Sequence, residues 1–295
     1  MTEQQQQLPP DVREVARRHL AILDAVAPGL VVGLYLTGSV TLGDYRPGRS
    51  DIDFMAFTSR CVIEPDVVAL LADVHAALPA DLRAALPDTD HYDGNYVALA
   101  GLPAVPDDEP PAPHVVNGTF HGNDPNHQLT PATWAEFAKY AIAVRGPERS
   151  ELGISVSPDR LNRWLLGNLN GYWKHSAADG IEVLRSHDSC EALPADVVAW
   201  MALGAARLHY TLATGDIASK SAAGKYAISL FPGYASVVTA ALTWRVTGVG
   251  EFTCADGISC AELTLDLIAD ANRRFASSAG STTPDTAGHD AATMR

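Results

Sequence analysis

The chain has 295 residues, nearly half of them hydrophobic, and carries 35 acidic against 21 basic side chains, a net charge of −14. That balance excludes a bulk nucleic-acid binder, whose footprint is a basic patch or stripe, and it favours encounter with a cationic small molecule. The four cysteines (Cys61, Cys190, Cys254, Cys260) form no Cys-x-x-Cys pair, and no stretch approaches about eighteen uninterrupted apolar residues, so disulfides, zinc and a membrane partner are not expected and a soluble cytoplasmic protein is.

Residues 1–8 are polar. Val12, Val15, Leu20, Leu23 and Val26 then predict a helix from Pro10 to about Val26. An apolar strand follows (Val31, Val32, Leu34, Leu36) and runs into Gly38-Ser39. A loop carrying Gly43, Pro47 and Gly48 leads to a second strand that opens on Asp51-Ile52-Asp53. After Glu64-Pro65 the composition predicts one or two amphipathic helices, and HYDGNYVALAGL is the third strand candidate, with a bulge expected at Gly94. Residues 103–114 hold five prolines and three acids and read as a loop or linker. A helix is predicted from Thr130 to Arg145, capped by Thr130 and stopped by Gly146-Pro147, with Trp134, Phe137, Ala138 and Ile142 as its buried stripe.

The second half turns helical. LNRWLLGNLNGYWKHSAADG and DVVAWMALGAARLHYTLATGD carry helical periodicity, the latter ending at Gly215, and KSAAGKYAISLF and YASVVTAALTWRVTG predict shorter helices. From Ser277 the chain is polar and small-residue, so residues 277–295 are expected to be disordered. The expected architecture is an α/β (α+β) domain with a small mixed sheet over 1–150, then an all-α helical domain over 151–276, with a site in the cleft between them.

Residues i and i+2 of a strand share a face, so Asp51 and Asp53 present two carboxylates side by side. That pair suits a hard cation such as Mg²⁺ shared with substrate phosphates. Gly38 and Ser39 offer backbone N–H groups and a hydroxyl to a phosphate. Together they point to an enzyme that handles a nucleoside triphosphate.

The run LYLTGSVTLGDYRPGRSDIDFMAF resembles the Gly-Ser…Asp-x-Asp signature of the DNA polymerase β-like nucleotidyltransferase superfamily, and within it the aminoglycoside adenylyltransferases that modify streptomycin and spectinomycin. The resemblance spans roughly residues 20–250. It implies a nucleotidyltransferase catalytic domain followed by a helical substrate- and nucleotide-binding domain, ATP as donor, and transfer of AMP to a hydroxyl of a small, cationic acceptor. It implies that Ser50 approaches the nucleotide, where the residue's other reading is a turn hydroxyl. It also implies a third carboxylate on a following strand, as metal ligand or general base. The candidates are Asp88, Asp90 and Asp93, and Asp93 is chosen because it abuts the Tyr96-Val97-Ala98-Leu99 strand. The segment ATGDIASKSAAGKYAI matches the family's triphosphate lysine, which falls on Lys220, with Lys225 as its rival.

Other residues are read as scaffold. Arg207 is assigned to a helix surface, His209 to the core, Tyr226 to a buried aromatic site, and Trp164, Trp173 and Trp200 to packing. His114, His121 and His127 match no metal spacing. For the acceptor, a family acidic position falls on Val197, the loop around Phe120–Asp124 lacks the tryptophan of the family, and Asp124, Glu191 and Asp196 are the substitutes. The expected state is a monomer or small homo-oligomer. Two other readings stay open: AMP transfer onto a protein, and a non-catalytic nucleotide-binding module.

Overall fold

The computed structural model describes residues 8–82, 91–103 and 111–276. Helix α1 (Pro10–Val26) begins on a proline, where no intrahelical N–H is needed, and buries Val12, Val15, Ala16, His19 and Leu23. Strand β1 (Val31–Thr37) ends in the single-turn helix α2 (Gly38–Thr41), and β2 (Ile52–Thr58) returns antiparallel to β1 with Asp53 opposite Thr37. Both strands are buried at nearly every position, as strands covered on both faces are. Helix α3 (Pro65–Leu82) is the crossover to β3 (Tyr92–Ala98), which lies parallel to β2. β4 (Ala100–Pro103) follows, and the hairpin of β5 (His114–Val116) and β6 (Thr119–His121) extends the sheet beyond β3. After α4 (Pro131–Tyr140), β7 (Ile142–Arg145) closes the other edge, for a mixed six-stranded sheet in the order β6-β5-β3-β2-β1-β7.

Three details depart from the sequence expectations. The helix predicted to Arg145 stops at Tyr140, because Ile142–Arg145 pairs antiparallel with Leu34, Tyr35 and Leu36 of β1. A vacant strand edge decided that segment; helical spacing did not. The strand predicted within HYDGNYVALAGL breaks at Leu99, but there is no bulge at Gly94: β3 keeps continuous register with β2 from Tyr92 to Ala98. Glycine is required there because a Cβ would lie 2.2 Å from the Phe54 carbonyl oxygen. His114, placed in the Pro-rich loop by sequence, is instead the first residue of β5.

The second half is helical: α5 (Pro158–Asn168), a π-helical turn (Leu169–Trp173), α6 (Lys174–Arg185), α7 (Ala195–Thr214), α8 (Lys220–Leu230), α9 (Ala235–Thr247) and α10 (Cys254–Phe275). The two-residue strands β8 (Ala192–Leu193) and β9 (Phe252–Thr253) pair beside them. One hydrophobic cluster gathers Leu34, Leu36, Phe54, Phe57, Tyr96 and Phe137 around the sheet; a second gathers Leu165, Leu169, Trp173, Leu203, Val238 and Leu263 among the helices. Helix α4 serves both, with Trp134 and Phe137 in the first and Ala135 in the second. Trp173 stacks on Trp200 and lies over Gly204, where a Cβ would meet its ring at 2.0 Å. The fold is thus an α/β part with a small mixed sheet followed by a helical part that carries one two-residue strand pair. No single helix among the described residues is long and apolar enough to cross a membrane. The predicted tail, 277–295, lies outside the described residues.

Candidate active site

The carboxylates gather where β2 and β3 begin. Parallel register sets Asp53 opposite Asp93, and Asp51 lies two residues before Asp53 on the same strand side. Asp93 is buried, whereas the Asp51 side chain is half exposed. Gly38 presses against this group: its φ is +69°, and a Cβ there would sit 2.0 Å from Asp53 Oδ2. Only glycine allows both the backbone conformation and the approach. Burial, then Asp51, Glu136 and Asp93, raise the Asp53 carboxyl to about 7, and Lys220 alone opposes them among the principal influences. Burial also raises Asp93, against hydrogen bonds from the Gly118 and Asn117 amides at 2.9 and 2.8 Å. Those amides belong to the β5–β6 turn, in which Asn117 is left-handed with φ 50°. One ligand atom each from Asp51, His91 and Asp93 lies within 4.8 Å of the other two. A site this rich in oxygen donors, with one carboxyl raised to about 7 by burial and then by its acidic neighbours, fits a divalent cation.

Cations lie near these carboxylates. Lys220 opens α8 and is exposed to water. The protein around it, then Arg207 and Arg245, lower its pKa, while Asp51 and Asp53 act the other way. Arg207, on α7, donates to the Ala218 carbonyl at 3.1 Å and lies 3.5 Å from Glu136. Glu136 in turn accepts the Gly38 N–H at 2.6 Å. Arg245 is buried and pairs with the equally buried Asp44 at 3.2 Å. Asp44 also accepts the Ser221 amide at 3.0 Å and the Ser221 hydroxyl at 2.6 Å, so it grips the first turn of the Lys220 helix. Arg49 donates to the Arg245 and Val246 carbonyls at the end of α9. Loop 43–50, between the Gly-Ser turn and the aspartates, is therefore fastened to the helical part at two points.

The structure packs Gly38 against Asp53, sets Asp53 opposite Asp93, and brings Lys220 within electrostatic reach of Asp51 and Asp53; the donor atoms within 4.8 Å of one another are those of Asp51, His91 and Asp93, without Asp53. Ser39 is partly buried and its hydroxyl lies 3.4 Å from the Asp51 carbonyl. Ser50 is buried and its hydroxyl accepts the Arg46 amide at 3.1 Å, closing the loop. Asp88 and Asp90 lie outside the described residues. Lys225 is exposed. His209 is a core residue bonded to Tyr226 and Asp270. Asp124 pairs with His121, and Glu191 with His187. Asp196 is exposed at the other end of α7 from Arg207, roughly 16 Å away at 1.5 Å per residue.

Arg207 is a partly exposed helix residue, as read from sequence, and the structure adds its bond to the Ala218 carbonyl and its approach to Glu136. Sequence offered no signal for it, nor for Glu136, Asp44 or Arg245: each is a single charge whose partner is distant in the chain. His91 did carry a signal, because His91-Tyr92-Asp93 repeats the i, i+2 spacing of Asp51-Ile52-Asp53 on the adjacent strand.

No protein-family model matches the chain, and sequence comparison with curated proteins gives no match. Among solved structures, spectinomycin adenyltransferase AAD(9) from Enterococcus faecialis, determined with ATP and spectinomycin, superposes with a TM-score of 0.60 at 16% identity. The match covers 86% of this chain and 98% of that one. At that identity the likeness is one of fold: the chain has a nucleotidyltransferase-like fold with a helical C-terminal part.

Proposed function

We propose that the protein is a Mg²⁺-dependent nucleotidyltransferase that moves AMP from ATP to a hydroxyl of a small polar acceptor, of the streptomycin or spectinomycin type. The observation that carries this reading is the convergence of Asp51, Asp53 and Asp93 at the start of two adjacent strands, with Lys220 within electrostatic reach of Asp51 and Asp53 and Arg207 beside Glu136. The similar fold of an adenyltransferase that was solved with ATP and spectinomycin supports it.

Asp51, Asp53 and Asp93 would hold the metal, which when bound neutralises phosphate oxygens and polarises the α-phosphorus. The Gly38-Ser39 turn binds the terminal phosphates, and Ser50 orders the loop beneath them. In the transfer, the acceptor oxygen bonds to the α-phosphorus and the bond to the bridging oxygen of pyrophosphate breaks. The hydroxyl proton passes to Asp93, a buried carboxylate on the strand beside the Asp51/Asp53 pair. Lys220 and Arg207 offset the charge that builds on departing pyrophosphate. The acidic surface concentrates a cationic acceptor near the cleft.

The test is pyrophosphate release from ATP and Mg²⁺ across an acceptor panel that includes streptomycin and spectinomycin. Release by the wild type with one acceptor, and none by Asp53→Asn, is expected. Silence across the panel with ATP still bound would reject the antibiotic and move the search to protein acceptors. Silence with those as well would leave a nucleotide-binding module.

A further inference from the structure

We propose that His91 is a direct metal ligand of this site, which makes it a mixed nitrogen–oxygen centre that takes Mn²⁺ in preference to Mg²⁺; the inference rests on the nucleotidyltransferase reading above. The parallel register pairs Ile52 with Tyr92 and Asp53 with Asp93, so the residues just before, Asp51 and His91, lie side by side at the strand ends. The Ile52 N–H donates to the His91 carbonyl at 2.8 Å, which fixes the histidine backbone to β2. Asp-x-Asp on one strand and His-x-Asp on the next thus lie side by side in register.

His91 Nδ1 lies 3.4 Å from Asp51 Oδ1, beyond the usual span of a hydrogen bond. Two neighbouring ligands of an octahedral ion with bonds near 2.1 Å stand about 3 Å apart, so the observed separation needs only a small adjustment. With Asp93 the three donors already lie within 4.8 Å of one another. Imidazole nitrogen is a softer donor than carboxylate oxygen, and Mg²⁺ accepts it reluctantly, whereas first-row transition ions accept it readily. A single imidazole beside the carboxylates therefore shifts the choice of ion while keeping the site able to bind phosphate oxygens.

The experiment is a Mn²⁺ titration of the full chain, followed by electron paramagnetic resonance, with pulsed detection of ¹⁴N coupling to the bound ion and competition by Mg²⁺. Wild type, His91→Asn and a His121→Asn control are compared. The expected result is nitrogen coupling in wild type and in the control, its loss in His91→Asn, and a fall of at least about tenfold in the Mn²⁺-to-Mg²⁺ affinity ratio. Because the His91 side chain is 43% exposed, the variant should keep its unfolding midpoint. Bound Mn²⁺ without nitrogen coupling in wild type would overturn the ligand role and leave the nucleotidyltransferase reading standing. Failure of wild type to bind Mn²⁺, with or without ATP, would overturn both.

Discussion

Replacing Asp44 by alanine should destabilise the protein more than any other single charge deletion in the cleft. Both partners of the Asp44–Arg245 pair have side chains only 4% exposed. Deleting the carboxylate leaves a buried guanidinium without its counter-charge, a loss of about 3–5 kcal/mol. The two Ser221 hydrogen bonds disappear with it. For a chain of this size that corresponds to a fall in Tm of roughly 6 °C or more. Burial pushes the Asp44 carboxyl up, but Ser221, Arg245 and Arg46 together outweigh it and hold it below the ordinary value. Its contribution is therefore present above the unfolded carboxylate range and is lost as pH falls through the depressed folded value. The double variant Asp44→Asn/Arg245→Met removes both charges and should be more stable than Asp44→Ala alone, because the cost lies in the orphaned cation. Urea unfolding at pH 7 measures all three proteins. A loss below about 1 kcal/mol for Asp44→Ala would refute the argument, since that is the value of an exposed pair.

Three further outcomes follow from the same geometry. Gly38→Ala should abolish Mn²⁺ binding and transfer, and cost about 1–3 kcal/mol from left-handed backbone strain, measurable by titration and unfolding; retained binding would show that the turn can retreat from Asp53. Lys220→Ala and Arg207→Ala should each raise the Kd for ATP, and unchanged binding by the first would send the triphosphate role to Lys225. Burial lowers His19 far below its ordinary pKa and His75 to about 4, so the unfolded state takes up protons below pH 6.5 that the native state refuses, and stability falls on acidification. Asp53 opposes this, because with a pKa of about 7 its native carboxyl is protonated across a range where the unfolded one is not. In metal-free buffer between pH 4.5 and 6.5, Asp53→Asn should steepen the loss by up to about 1.4 kcal/mol per pH unit. An unchanged slope would mean that Asp53 titrates normally.

The parts of this structure legible in sequence are those with local causes. The Gly38-Ser39 turn and the Asp51/Asp53 pair each lie within a few residues, and their neighbours supply the strand pattern. Lys220 was placed by resemblance to a family segment, and Thr130 and Gly215 marked helix ends through capping chemistry that acts within one turn. What escaped depended on partners far along the chain. Ile142–Arg145 reads as the continuation of a helix until β1 offers it an edge. Gly94 reads as a bulge until the carbonyl of Phe54 is seen to fill the place of its Cβ. Glu136 and Arg207 are 71 residues apart and meet only because α4 packs between the two cores.

That long-range pairing bears on how the ligands should bind. Each cation of the cleft already faces a carboxylate: Arg245 with Asp44, Arg207 with Glu136, Lys220 with Asp51 and Asp53. ATP alone would bring its triphosphate toward Lys220 and Arg207 but also toward Asp51, Asp53, Asp93 and Glu136, where repulsion cancels much of the gain. A divalent ion alone would meet carboxylates, one of which holds a proton near neutral pH. Bound together, the ion neutralises the aspartates while the phosphates draw the cations, so each ligand removes the obstacle to the other. The coupling should be positive and of the usual size, about 5–150-fold in affinity. Calorimetric titration of ATP with divalent ion present and in EDTA measures it, and the reciprocal titration of Mn²⁺ with and without ATP must return the same factor. Equal ATP affinity in the two buffers would mean that the triphosphate sits on these cations without reaching the aspartates, and catalysis by those carboxylates would fail with it.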